Sequence, residues 1–110
     1  MHLLLFYAVE CGLKSVYLRR HRFRTTAQIQ DPELQEKGHD ISRWVKELRL
    51  PASILHAGAE FRLTRDGARY GIEMAHQAWR YGVSMEVTDE AGLLEYLRTV
   101  KNWVEEALQR

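Results

Sequence analysis

A chain of 110 residues with one cysteine is the size of a single domain, able to bury a core without staples, and it can form no disulfide within itself. Its 16 Lys+Arg against 15 Asp+Glu leave no global basic excess of the kind that holds a nucleic-acid backbone by charge alone. Residues 2 to about 22 predict a long first helix that is apolar on nearly every face, the pattern of a bundle centre or a subunit interface. Glu10 and Lys14 stand four residues apart inside it, on one helical face, where each charge needs a partner. Cys11 has apolar neighbours and is expected to be a small core residue in a reducing compartment. Leu3 to Val9 is too short to cross a bilayer, and no basic leader or small-residue cleavage pattern marks an export signal. A soluble, cytoplasmic protein with no membrane contact is expected.

Arg19, Arg20, His21, Arg22 and Arg24 follow as a basic knot at the helix end. Two readings are open: cations favoured by the C-terminal helix dipole, or a patch for RNA or an acidic partner. Thr25 to Gly38 reads as a connector, within which Pro32-Glu-Leu-Gln-Glu has room for one helical turn. From His39 or Asp40 a second helix begins, with Ile41, Trp44, Val45 and Leu48 at i, i+3, i+4 and i+7, and Pro51 ends it. Ser53 to Ala59 forms a short third helix, with Ile54 and Leu55 inward. Residues 60–72 carry Phe61, Leu63, Tyr70 and Ile72 at period two around Asp66-Gly67, which predicts a small hairpin or ordered loop. A helix starting near Ile72 turns Met74, Ala75, Ala78 and Trp79 inward and closes at Tyr81-Gly82. Val83 to Val87 is an extended connector. Thr88, as N-cap before Asp89 and Glu90, opens the last helix, whose stripe is Leu93, Leu97, Val100, Val104 and Leu108, widened by Leu94, Tyr96 and Trp103. These elements imply one all-α domain over 1–110, an up-and-down bundle of four to five helices with a small hairpin or ordered loop at 60–72.

The five histidines are scattered, without HExxH, CxxC or a repeated His/carboxylate pair, so no metal and no cofactor is implied. No glycine-rich phosphate loop and no nucleophile elbow occurs. What remains is a set of polar residues at bundle positions: Glu10 and Lys14, His39 and Asp40, and Arg80 and Tyr81. If the helices alternate in direction, Glu10 meets Arg80 or His39, Lys14 meets Asp40, and the Tyr81 hydroxyl caps the cluster. Such a cluster either fixes helix register or lines a site for a ligand or partner.

Ala8-Val-Glu-Cys-Gly-Leu-Lys14 in the first helix, Gly38-His-Asp-Ile41 opening the second, Trp79-Arg-Tyr81 before a connector, and Val-Lys-Asn-Trp-Val-Glu-Glu in the last helix resemble the HEPN family. The resemblance implies a helical bundle that usually dimerises and is found in prokaryotic toxin-antitoxin, CRISPR-linked and anti-phage systems. Many members are metal-independent RNases that use an arginine and a histidine with four to six residues between them, as phosphate clamp and proton-transfer group. Here the last helix has Arg98 and no histidine. Arg49 to His56 and Arg69 to His76 match the spacing, but about 1.6 matches are expected by chance from 12 arginines and five histidines, and Pro51 breaks the first. The resemblance therefore implies a non-catalytic binding or regulatory subunit of a bacterial defence or toxin-antitoxin system, working through its apolar first and last helices as a homodimer or with a neighbouring-operon protein. The alternative it implies is an RNase using Arg69 and His76, with RNA or a nucleotide guided by Arg19, Arg20, Arg22 and Arg24.

Overall fold

The structure, a computed structural model, describes residues 2–30, 41–55 and 60–109. The first helix, α1 (His2–His21), buries Phe6, Val9, Glu10, Leu13, Val16 and Tyr17. Those positions recur every three to four residues, so the apolar segment has one true inner face. Leu4, Ala8, Cys11 and Ser15, spaced four, three and four apart, form the outer one. Cys11 is therefore exposed rather than part of the core: its neighbours in sequence are apolar, but its helical phase follows Leu4 and Ala8.

The inner face of α1 packs on the long final helix, α5 (Val87–Gln109), which buries Leu93, Tyr96, Leu97, Val100 and Val104. The two helices run in the same direction. Trp79 touches the His2 ring at the start of α1 and donates its indole N–H to Glu90 at the start of α5, while Arg19 near the end of α1 donates to the Leu108 carbonyl near the end of α5. Close approach is possible because Gly12 faces Val104: a Cβ at Gly12 would lie 2.7 Å from Val104 Cγ1. Trp44 and Ile41 from α2 (Ile41–Glu47) close the core on another side, both with no exposed surface. Burial of such side chains stabilises by about 1.5–3 kcal/mol each.

α2 stops at Glu47, before Pro51, because the chain turns left-handed at Arg49 (φ 55°), where Arg49 N–H bonds to the Lys46 carbonyl and Leu50 N–H to the Val45 carbonyl. α1 ends in the same way at Arg22 (φ 57°), with Phe23 N–H on the Leu18 carbonyl at 2.8 Å. Both are Schellman closures with arginine where glycine is usual. A short α3 (Ala52–Leu55) follows, opened by the Ile54 N–H on the Pro51 carbonyl, and Ile54 is buried.

The all-α expectation is corrected by the hairpin at 60–72. Strands β1 (Glu60–Arg62) and β2 (Arg69–Gly71) pair antiparallel with Phe61 opposite Tyr70, and Gly67 (φ 68°) supplies the left-handed residue of the turn. The segment expected to be an extended connector adds to the other edge of β1, with Leu63 bridged to Met85 and Glu86 N–H on the Arg62 carbonyl. Up-and-down alternation of long helices also gives way, since the two long helices are parallel neighbours and the described elements between them are short. A single 3-10 turn (Ile72–Met74) then leads into α4 (Ala75–Arg80). Helix α5 starts at Val87, one residue before the expected Thr88 cap. Glu86 takes that role by accepting the Asp89 N–H on its side chain at 3.0 Å and the Glu90 N–H on its carbonyl.

Candidate functional site

At the basic knot, two of the four arginines are consumed by the fold. Arg20 donates to the Leu48 carbonyl at 2.9 Å and lies 5.4 Å over the Trp103 ring, and Arg19 takes the Leu108 carbonyl. The C-terminal ends of α1, α2 and α5 thus meet at one end of the molecule, where their carbonyl dipoles are negative and guanidinium groups offset them. A charge-assisted bond of this kind contributes about 1.5–3 kcal/mol. His21 stacks on Tyr17 at 4.1 Å and faces its carbonyl. All four arginines are exposed, but Arg19 and Arg20 are tied to helix-end carbonyls.

Glu10 is 4 % exposed and accepts Lys14 Nζ at 3.0 Å, as the four-residue spacing requires. Arg80 and Tyr81 do not join this pair. Helix α4 packs on the first turns of α1, with His76 and Trp79 against Phe6 at 5.2 and 6.4 Å, and its end turns outward through Gly82 (φ 69°). There Arg80 lies over the Tyr81 ring at 5.8 Å, and Tyr81 is 70 % exposed. His39 and Asp40, the middle members of the expected cluster, lie outside the described residues.

Arg69 and His76 likewise have separate surroundings. Period-two alternation puts Glu60, Arg62 and Arg69 on one face of the hairpin and Phe61, Leu63 and Tyr70 on the other. Arg69 pairs with Glu60 at 3.7 Å on the charged face, while the His76 ring is turned to Phe6 on α1. Among the described residues no group of three His, Cys, Asp or Glu side chains is placed to hold a metal ion.

The apolar face of the hairpin and α4 enclose an open groove of about 200 Å³. Its floor is Phe61, Leu63 and Ala78, all buried, with Met74 and Val83 at the sides. The Tyr70 and Tyr81 rings stand at its edges, both exposed, and Tyr70 leans on Phe61 at 5.9 Å. Arg65 and Gln77 add polar groups to the two tyrosine hydroxyls, and among the described residues no carboxylate lines it. Among the described residues Arg65 reaches only its neighbour Asp66, at 3.8 Å, and both side chains are well exposed. The sequence signal for this site lay in Phe61, Leu63 and Tyr70 at period two and in Tyr81 beside a closing glycine; what it lacked was the packing of α4 against the hairpin.

A second cavity, of about 400 Å³, lies between α2, the hairpin and α5, with Ser42, Lys46, Glu60, Glu73 and Tyr96 among its lining. Its charges are mixed. The Glu73 carboxylate lies over Gly71, in the space a Cβ there would take, and would swing aside for a side chain at that position. Burial pushes the Tyr96 phenol above its ordinary pKa of 10.0.

On the hairpin's charged face Arg62 fastens β1 to the start of α5. Its backbone N–H and its Nε both donate to Asp89 Oδ2, at 3.0 and 2.9 Å, and Glu86 lies 3.8 Å from the guanidinium. The hydrogen bond from Arg62 is the main cause that holds the Asp89 carboxyl below its ordinary value. This clamp, linking residues 27 apart, was not read from the sequence. It fixes one wall of the groove relative to the long helices. No family model, no curated protein and no solved structure matches the chain.

Proposed function

We propose that the chain is a HEPN-like, non-catalytic binding domain and that the hairpin–α4 groove is its binding face. The family and its setting in bacterial defence or toxin-antitoxin systems rest on the resemblance of the first, second and last helices. The observation that carries the binding reading is the groove itself, where two exposed tyrosines flank an apolar floor that is open to solvent. Apolar pockets with a few polar groups at the rim are the usual form of a ligand site. The separate surroundings of Arg69 and His76 support the absence of RNase chemistry, which needs an arginine and an imidazole on one phosphate. Association through the apolar faces of the first and last helices is set aside, because those faces are spent on each other.

The reading is tested by titrating the protein with indole, a neutral aromatic probe, while following the Met74 methyl and the Tyr70 and Tyr81 ring signals by NMR. Shifts confined to the groove are expected, together with no RNA cleavage with or without EDTA. An absence of shifts overturns the binding face. RNA cleavage that survives EDTA and is lost in a folded His76→Ala variant overturns the non-catalytic assignment.

A further inference from the structure

Hydrogen bonds in the hairpin fix which backbone groups face outward. Leu63 N–H bonds to the Ala68 carbonyl, so alternation along an antiparallel pair makes Phe61 and Tyr70 the next bonded pair and turns Arg62, Arg69 and Gly71 outward. At β1 the outward groups are taken: Arg62 N–H goes to Asp89 and the Arg62 carbonyl accepts Glu86 N–H. At the outer edge of β2, among the described residues, no strand pairs and nothing accepts from the Arg69 or Gly71 N–H. Arg69 and Tyr70 are both exposed there.

Side chains along this edge specify what an added antiparallel strand must carry, because residues directly opposite share a face of the sheet. Opposite Arg69, on the charged face, it needs a carboxylate. The existing bridge from Arg69 to Glu60 is long, at 3.7 Å, and exposed at both ends, so it yields readily. Opposite Tyr70, on the apolar face, it needs a flat apolar side chain. Opposite Gly71 it needs a long cation, since Gly71 has no side chain and the Glu73 carboxylate lies in the space a Cβ would take. β2 itself meets all three demands when turned antiparallel: Arg69 falls opposite Gly71 and the Glu73 carboxylate above it, and Tyr70 falls opposite Tyr70.

We propose that the outer edge of β2 docks the same edge of a second copy of this chain, about a two-fold axis at Tyr70. Such an interface is isologous, so each contact away from the axis occurs twice. Each Gly71 N–H meets the Arg69 carbonyl of the other copy; the Gly71 carbonyl contributes less, since it also caps the 3-10 turn Ile72–Met74. The other two registers that use outward groups set Arg69 against Arg69, or the two Glu73 carboxylates against each other, and like charges directly opposite destabilise a sheet. Strands of three residues make a small seam, so the dimer is weak and depends on concentration. It uses neither long helix and does not depend on what the groove binds.

Sedimentation equilibrium of the full chain between about 10 µM and 1 mM reads the association. The mean mass is expected to rise toward that of two chains, and the Gly71 amide to exchange more slowly at the higher concentration. Arg69→Glu and Glu73→Arg are each expected to weaken dimerisation about tenfold, since each turns two attractions into repulsions. An equimolar mixture of the two variants is expected to regain it: the changed side chain of each copy then faces that of the other, and the remaining pair is the original Arg69 with Glu73. Circular dichroism checks that both variants fold.

A monomer throughout the range overturns the inference, as does a dimer that neither substitution weakens. Loss in both variants without recovery in the mixture overturns the pairing of Arg69 with Glu73 that carries it. If the peptide Ac-Arg-Tyr-Glu-amide slows Gly71 exchange while the chain stays monomeric, the edge takes a foreign strand and the second copy falls. The indole titration reads the groove in the dilute monomer, so either proposal can fail without the other.

Discussion

Burial is divided unequally between Glu10 and Lys14, and that decides what each contributes. Glu10 sits under the helix surface with 5 % of its side chain exposed, whereas the Lys14 side chain keeps 23 % and carries its ammonium toward water. Loss of the carboxylate leaves a lysine that can extend outward along its own stem. Loss of the lysine takes the ammonium away from a carboxylate that has no such route. Lys14→Met is therefore expected to cost about 2 kcal/mol and Glu10→Gln about 1 kcal/mol, with the double variant more stable than Lys14→Met alone. Urea unfolding of the three variants checks this order. A larger cost for Glu10→Gln would show that the carboxylate does more for the fold than hold the lysine. The sequence made the pair legible because four-residue spacing on a helix leaves little freedom. The expected extension to Arg80 and Tyr81 does not form, because α4 meets α1 at Phe6, a turn before Glu10, a contact that no local pattern gives.

The seam between α1 and α5 depends on Gly12. Alanine in mid-helix normally gains about 1 kcal/mol over glycine, so a helix considered by itself would favour Gly12→Ala. Against α5 the sign reverses: the new methyl would lie 2.7 Å from Val104 Cγ1, and a β-branched valine has few rotamers with which to move aside. A net loss of about 1–3 kcal/mol is expected, measured by thermal or urea unfolding, and Gly12→Ala/Val104→Ala is expected to recover part of it. A stabilised single variant would mean that the helices are not held so close. Element positions were read well where periodicity is strong, as in the stripe of α5 and in Ile41, Trp44, Val45 and Leu48, and α1 was read from its long apolar run rather than from any periodicity. The hairpin was legible from Asp66-Gly67 between alternating apolar residues. Helix ends were read less well, because Arg22 and Arg49 close their helices in a conformation usually marked by glycine, and because the cap of α5 is a glutamate rather than the threonine two residues on.

On the scale of the molecule, one end is closed by three helix C-termini and their arginines, while the other side carries the hairpin, α4 and the groove. Local patterns predicted the parts of the groove, but its existence depends on contacts between elements distant in sequence, which no local pattern encodes. The contact most open to test is the clamp of Arg62 on Asp89 and Glu86, since it joins β1 to the first turn of α5. The folded-state pKa of Asp89 is depressed, first by the hydrogen bond from Arg62. A depressed carboxyl pKa gives stability that is present above the ordinary value of 3.8 and is lost as pH falls through the folded value. The urea midpoint of the wild-type protein is therefore expected to fall between about pH 4 and pH 2 more steeply than that of Asp89→Asn, whose amide does not titrate. Arg62→Gln is expected to flatten the same limb, because it removes the group that depresses the pKa. The hairpin amides and Tyr70 should exchange faster in acid than the α1–α5 seam, if the clamp rather than the core is what yields first. Parallel acid limbs in wild-type and Asp89→Asn proteins would show that the Asp89 charge does not hold the hairpin to α5, leaving that to Phe61, Leu63 and the bond from Glu86 N–H to the Arg62 carbonyl.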